Sequence, residues 1–135
     1  MDEALREAFH ATAYLVNLDT LNWATIRVDS PLPAELAVVV GKQPWAFITA
    51  WNPQACLRSA QSNMAAQRAL LAALQAHVGV SVYPAIGVGS SGWSEPSLFV
   101  AGVAADATDA LARTHRQLAY VCGTAGTVAT LRELA

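Results

Sequence analysis

The sequence predicts an α+β fold, a single-domain sandwich in which helices pack on a mixed β-sheet. Segments with helical periodicity are interspersed with β-prone segments along the chain. Two β-prone segments, residues 80–86 and 97–103, follow one another across a loop and predict an antiparallel hairpin. The 135 residues suffice for one hydrophobic core, so we expect one domain over residues 1–135. The order of the strands does not follow from the sequence.

The chain begins with a pattern typical of an amphipathic helix over residues 2–16. Asp2 suits a helix N-terminus. Leu5, Phe9 and Val16 then recur at helical spacing, which predicts one apolar face. We expect this face to pack on the sheet.

A short strand over residues 23–28 and a short helix over residues 33–41 are predicted next, separated by a proline-rich break. Pro33 suits a first helical turn and Gly41 a C-terminal cap, whereas the valine run 38–40 favours a strand. The two end residues favour the helix, and a strand remains the alternative.

The middle of the chain predicts a central strand and a long helix. Residues 45–50 are apolar and β-prone, and the Asn-Pro pair at 52–53 marks a turn after them. Residues 59–77 have clear helical periodicity with a polar face. Their predicted apolar stripe consists of Met64, Leu71, Leu74 and Val78.

The last third predicts one helix and two strands. Asp106 suits the helix N-terminus, Asp109 suits its first turn, and basic residues follow at its C-terminal end. Residues 118–122 form the next predicted strand, and residues 128–131 a last edge strand.

Composition and charge disfavour several classes of protein. The net charge is −2 and the eight lysines and arginines are scattered, so no basic surface for nucleic acid is indicated. No apolar run approaches the ~18 residues of a membrane-spanning helix, and no basic-then-apolar leader opens the sequence. We therefore expect a soluble, cytoplasmic protein. Its 54% apolar and 13% charged composition predicts a homodimer.

Cysteine and histidine spacing indicates neither a disulfide nor a metal site, and no cofactor is indicated. Cys56 and Cys122 lie far apart and outside any CxxC pattern, so we expect both to be unpaired. His10, His77 and His115 lack metal-ligand spacing and fall on predicted helices.

Residues 87–92 (Gly-Val-Gly-Ser-Ser-Gly) match the GxGxxG pattern without its structural context. A dinucleotide-binding loop must open a helix whose N-terminus holds the phosphates, whereas β-prone residues follow here. We therefore predict a hairpin loop. The sequence has no GxSxG motif, which disfavours serine hydrolase chemistry.

Two polar-aromatic loops at strand ends carry the candidate functional residues. Residues 49–53 and 92–97 each place an indole beside hydrogen-bonding groups and a proline, as the rim of a small-molecule pocket requires. The candidate ligand-binding residues are Thr49, Trp51, Asn52, Asn63, Trp93, Ser97 and Gln117. Each has a structural alternative, because tryptophans commonly fill cores and amides commonly hold loops.

Glu95 is the candidate catalytic residue. Burial against Trp93 would raise the pKa of its carboxyl towards the range of a general acid or base. The alternative is a structural anchor in which Glu95 pairs with an arginine or caps local amides. The sequence shows no nucleophile beside it.

These loops resemble a bacterial family, domain of unknown function 3293. The resemblance rests on residues 46–53 (AFITAWNP), Asn63, residues 92–97 (GWSEPS) and residues 116–120 (RQLAY), in that order. It implies a single-domain bacterial protein and supplies no established activity, substrate or cofactor. The family pattern is concentrated on residues already selected: Thr49, Asn52, Asn63, Trp93, Glu95, Ser97 and Gln117.

The leading interpretation is a small-molecule binding module that holds a compact polar or planar ligand between the two tryptophan loops. A second hypothesis is a small enzyme, a hydrolase or transferase, with Glu95 as general base. A third is a structural or interaction protein without a ligand. The leading hypothesis requires one cavity shared by Trp51, Asn52, Asn63, Trp93 and Glu95, with Gln117 at its edge.

Overall fold

The computed structural model describes residues 1–134, which form four α-helices, one 3₁₀ turn and seven β-strands. In chain order the elements are α1 (Glu3–Ala11), β1 (Ala13–Asp19), β2 (Asn22–Ile26), α2 (Ala34–Val40), β3 (Trp45–Ile48), the 3₁₀ turn (Pro53–Ala55), α3 (Ala60–Gln75), β4 (Ser81–Val88), β5 (Ser94–Ala101), α4 (Ala105–Thr114), β6 (Ala119–Gly123) and β7 (Thr130–Glu133). The predicted α+β class is confirmed.

The strands form one sheet in the order β2-β1-β4-β5-β3-β6-β7, and all the pairs are antiparallel. The sequence predicted mixed strand directions because helices alternate with strands. Each helical crossover does join two parallel strands, but other strands lie between them. For example, α4 connects β5 to β6 and β3 lies between these two, so the crossover creates no parallel pair.

The sheet curls until the segments beside its two edge strands meet. The Asp29 amide donates to the Ala129 carbonyl at 2.8 Å, and the Ala129 amide donates to the Ser30 carbonyl at 2.9 Å. A bridge between Pro31 and Val128 continues this contact. The curl therefore protects chain segments that would otherwise be open edges.

Each face of the sheet carries its own apolar core. The face enclosed by the curl packs against α1 and α2, and its core includes Tyr14, Val28, Leu36, Phe47, Phe99 and Ala129. The opposite face packs against α3 and α4, and its core includes Ile48, Leu70, Leu74, Val100 and Ala112. The helices thus cover both sides of the sheet.

The helix predicted over residues 2–16 is wrong in its last five residues, 12–16. The Asp2 carboxylate accepts from the Leu5 amide at 2.8 Å and caps α1 as predicted. The helix ends at Ala11, and the chain continues as β1. Tyr14 and Val16 alternate into the core with partly exposed neighbours, which is the period of a strand and not of a helix.

The long helix is confirmed as α3, capped by the Ser59 side chain, but two of the four residues of its predicted apolar stripe are exposed. The exposed fractions of Met64 and Val78 are 50% and 100%. Of the stripe, Leu74 is buried and Leu71 is partly buried; the other buried positions of α3 are Asn63 and Leu70. The stripe was misplaced because an amide, Asn63, occupies the inward face.

The interpretation of Asp106 and Asp109 also needs correction. Ala104 is the N-cap of α4 and Asp106 lies in the first turn. Asp109 is buried and accepts from the Tyr120 hydroxyl at 2.6 Å and from the Arg132 Nε at 2.6 Å. The carboxylate therefore clamps α4 to β6 and β7 and has no part in capping.

Other local predictions are confirmed. The ambiguous segment is helix α2, with Gly41 at its end at a φ of 59°. The predicted hairpin is β4–β5, and its turn is shorter than expected, so Glu95 lies inside β5. Cys56 and Cys122 are free. None of the helices described in residues 1–134 is long and apolar enough to cross a membrane.

Candidate functional site

A cavity of about 380 Å³ lies against the curled face of the sheet, beneath α1. Apolar side chains of α1, β3 and β6 line it, together with apolar residues of the adjoining loops such as Leu57 and Leu118. Its polar lining consists of Thr12, Tyr14, Thr49, Asn52, Ser94, Glu95, Ser97, Gln117 and Tyr120, together with the indole of Trp93. Six of the eight predicted site residues therefore share this cavity, whereas Trp51 and Asn63 do not line it.

Strand alternation brings Glu95 to the cavity floor. Glu95 and Ser97 lie on the same face of β5 as the core residue Phe99. Across the sheet, Glu95 is paired with Gly87 of β4, which in turn is paired with Tyr14 of β1. Because Gly87 has no side chain, the floor between the carboxylate and the phenol stays open.

The Glu95 carboxylate is partly buried and lacks a protein partner. No group within residues 1–134 donates a hydrogen bond to it, and it forms no ion pair with them. Burial raises the pKa of Glu95 to about 7. Within residues 1–134, Glu95 therefore neither pairs with an arginine nor caps a backbone amide, as the structural alternative had required.

Tyr14 is buried and does not compensate the carboxylate. Its hydroxyl donates to the Phe9 carbonyl at 2.7 Å, so the phenol proton is already used. Burial, with a contribution from the nearby Glu95 charge, raises the pKa of Tyr14 above its usual range. The phenol is therefore neutral at physiological pH.

Asn52 lines the cavity and is fixed by Asn63 from α3. The backbone N–H of Asn52 donates to the Asn63 Oδ1 at 2.9 Å, and the Asn63 side-chain Nδ2 donates to the Asn52 Oδ1 at 2.8 Å. The Arg58 amide also donates to the Asn52 Oδ1, at 3.1 Å. Asn63 thus positions Asn52 from behind and does not line the cavity itself.

The loop that carries Asn52 has a strained backbone. Asn52, Gln54 and Ala55 adopt left-handed φ values of 46°, 56° and 58°. Such values cost about 1 kcal/mol or more for residues other than glycine and asparagine. The loop is held by the Gln54 amide, which donates to the Arg116 carbonyl at 2.7 Å, and by the Gln117 Nε2, which donates to the Trp51 carbonyl at 3.2 Å.

The two tryptophans have different positions. Trp93 lines the cavity and is 43% exposed as a residue, and its indole lies against Gly89, where a Cβ atom would collide with the ring. Trp51 is partly buried outside the cavity lining, and its amide N–H donates to the Thr49 Oγ1 at 3.0 Å. Only Trp93 is placed to stack on a ligand in this cavity.

Sequence reasoning missed residues that shape the site. Tyr14 and Phe9 line the cavity, and the alternation of Tyr14 with Val16 could have separated β1 from the helix before it. Gln67 was also missed. Its Oε1 accepts from the Ala50 amide at 2.9 Å, and its position four residues after Asn63 puts both amides on one side of α3.

The lining of the cavity has one carboxyl group, and no metal site is found in the described residues. Glu95 is the lone Asp, Glu, Lys, Arg or His side chain among its lining residues. The described part of the chain contains no group of three His, Cys, Asp or Glu side chains arranged to hold a metal ion.

Residues 48–120 match the family described as Protein of unknown function (DUF3293), and this segment is slightly more than half of the chain. The chain belongs to this family. The DUF3293 match includes all eight predicted site residues, whereas α1 and β1, which complete the cavity, lie outside it. No curated protein and no solved structure matches the chain.

Proposed function

We propose that the protein binds a compact polar or planar small molecule in the cavity beneath α1, with Glu95 accepting a hydrogen bond from it. The observation that carries the proposal is the unpaired carboxylate on the cavity floor. A partly buried charge without a partner lowers stability. A ligand that donates to Glu95 would remove that cost when it binds.

Other polar groups of the cavity support the proposal. Asn52 uses its Oδ1 within the protein, and its Nδ2 has no partner among residues 1–134. The Gln117 Nε2 donates to the carbonyls of Trp51 and His115, whereas its Oε1 has no hydrogen-bond partner among residues 1–134. By contrast, the hydroxyls of Thr49 and Ser97 donate to the carbonyls of Pro96 and Glu95. We therefore assign ligand contacts to Glu95, Asn52, Gln117 and Trp93, and support of the loops to Thr49, Trp51, Asn63 and Ser97.

A thermal-shift screen of nucleotides, sugars, amino acids and amines tests the proposal. We expect at least one compound class to raise the Tm of the wild-type protein and to do so much less for Glu95→Gln. Glu35→Gln is the matched control, because Glu35 is exposed on α2 and does not line the cavity. Shifts that are equal in wild type and Glu95→Gln would contradict the proposed anchor.

A second candidate function is a small enzyme, a hydrolase or transferase, in which Glu95 is the general base. The raised pKa of Glu95, about 7, favours it, because a base works best when its pKa is near the working pH. Incubation of any bound compound with the protein, followed by NMR of the compound, distinguishes the two. Conversion by wild type that Glu95→Gln abolishes would establish the enzyme.

We also propose that the protein is a cytoplasmic homodimer of bacterial origin that does not act on nucleic acid. The dimer is supported by large apolar side chains that are exposed on this chain, among them Leu21, Val38 and Val78. Sedimentation at micromolar concentration tests it. If sedimentation shows only monomer at that concentration, the proposed dimer is wrong.

A further inference from the structure

We infer that the ligand of this cavity is a small organic cation, an amine or amidine on an apolar body, whose charged group pairs with Glu95. This inference rests on the proposed function. It adds the chemical class of the ligand, which the cavity lining determines through its charge and its aromatic surface.

The charge of the lining favours a cation. Glu95 is the one carboxylate there, and no lysine, arginine or histidine lines the cavity. An anionic ligand such as a phosphate or carboxylate would meet no cationic partner and would lie near a like charge. A ligand ammonium group instead gives the carboxylate a charge-assisted hydrogen bond, which is stronger than a neutral one.

Aromatic side chains around Glu95 suit the same ligand. Phe9 projects from α1, Phe47 from β3 and Trp93 from the β4–β5 turn, and all three line the cavity. The faces of aromatic rings attract cations, and most strongly the face of tryptophan. The surrounding apolar wall favours an uncharged hydrocarbon body.

The size of the cavity limits the ligand. Its volume of about 380 Å³ lies at the lower end of the range of small-molecule pockets, which is roughly 300–1,000 Å³. A single ring or short chain with one cationic group fits this space. Long polyamines would place further charges against apolar walls without a carboxylate to pair with them.

Protonation of Glu95 should couple to binding. Of the ionisable groups that line the cavity besides Glu95, Tyr14 from β1 and Tyr120 from β6 stay neutral because burial raises the pKa of each, and the lining residues from α1, β3, β4 and β6 include no charged side chain. A cation binds the ionised carboxylate. Because the free carboxyl has a pKa of about 7, affinity for an amine should fall about tenfold for each pH unit below that value.

Calorimetric titration of the protein with benzylamine, benzyl alcohol and benzoate at pH 8 tests the inference. These probes share one ring and differ in charge. We expect benzylamine to bind about tenfold more tightly than benzyl alcohol, as the difference between charged and neutral hydrogen bonds requires. Benzoate should bind most weakly. Glu95→Gln should abolish the preference and Glu35→Gln should retain it.

The pH dependence of the wild-type protein provides a test without any variant. Benzylamine affinity should weaken below pH 7, whereas benzyl alcohol affinity should not. Equal binding of the alcohol and the amine, or failure of all amines while neutral compounds of the wider screen bind, would overturn the inference and leave the proposed function standing. Tighter binding of benzoate, which has no donor for Glu95 at pH 8, would contradict both. If no compound of any charge binds, both are wrong.

Discussion

Tyr14 and Glu95 lie in one row across the sheet, with only Gly87 between them. The Tyr14 hydroxyl is turned to the Phe9 carbonyl, so it leaves the Glu95 carboxylate without a donor. The missing side chain at Gly87 keeps the space between the two groups empty. This row therefore forms a cavity floor with one carboxyl group, that of Glu95, and one position without a side chain, Gly87. The proposed ligand binding depends on these two residues.

Filling the open position should abolish binding without unfolding the protein. A Cβ at Gly87 would meet only the Thr12 Cγ2 at 3.7 Å and the Glu95 carbonyl at 4.0 Å, which are ordinary contacts. We expect Gly87→Val to stay folded and to lose the binding of any ligand found in the screen, because the larger branched side chain occupies the cavity. Gly87→Ala is the control and should still bind. Normal ligand affinity in a folded Gly87→Val protein would show that the ligand lies elsewhere.

Glu95→Gln should stabilise the protein at alkaline pH. The folded-state pKa of Glu95 is raised from 4.5 to about 7, so folding is most favourable while the carboxyl is protonated, and that stability is lost as the pH rises from 4.5 through 7. A glutamine at this position does not ionise, so the variant loses no stability over this pH range. Urea denaturation should therefore show the variant to be more stable at pH 8, by up to roughly 3 kcal/mol, with no difference near pH 4. Destabilisation at pH 8 would indicate a structural partner for Glu95.

Asn63→Ala should weaken both the fold and the site. The substitution removes the acceptor of the Asn52 amide and the donor to the Asn52 Oδ1. We expect a loss of about 2 kcal/mol in the free energy of unfolding, because buried groups lose their partners. Gln61→Ala, exposed in the same helix, should be neutral. Equal stability of the two variants in urea would show that the Asn52–Asn63 pair does not hold the loop.

The Arg132–Asp109 pair should affect stability and not binding. The pair lies with Tyr120 between α4 and the sheet, and the guanidinium hydrogen bonds lower the pKa of Asp109 to about 2. Arg132→Ala leaves the buried Asp109 carboxylate with the Tyr120 hydroxyl as its remaining side-chain donor and should lower the free energy of unfolding at pH 7. The stability that the pair provides is lost as the pH falls from 3.8 towards 2, so the variant and the wild type should converge there. Arg68→Ala is the control for loss of an exposed arginine. A loss of ligand affinity in folded Arg132→Ala would link the pair to the site.

Local signals in the sequence predicted many of the elements correctly. The helical periodicity of residues 59–77 identified α3, and Gly41 identified the end of α2. The β4–β5 hairpin followed from two β-prone segments with a glycine-rich turn. Strand order and direction were not predictable, because they depend on contacts between residues far apart in the sequence.

The candidate site was predictable only in part, for the same reason. The residues of the two loops were selected from local chemistry, and the structure brings six of the eight to one cavity. Tyr14 was missed because Leu5, Phe9 and Val16 also fit a helical period, so β1 was taken into α1. Asn63 was taken for a ligand contact because a sequence shows an amide but not its partner, which here is Asn52.

The titration of the Glu95 carboxyl tests the central claim most directly. In ¹³C NMR spectra of the ligand-free wild-type protein, with Glu95→Gln to assign the signal, the carboxyl resonance should titrate with a midpoint near pH 7, because burial without a partner raises its pKa. A midpoint at or below 4.5 would mean that solvent or a cationic partner already stabilises the ionised form. Glu95 would then not be an acid kept free for a ligand, and the functional account would be contradicted.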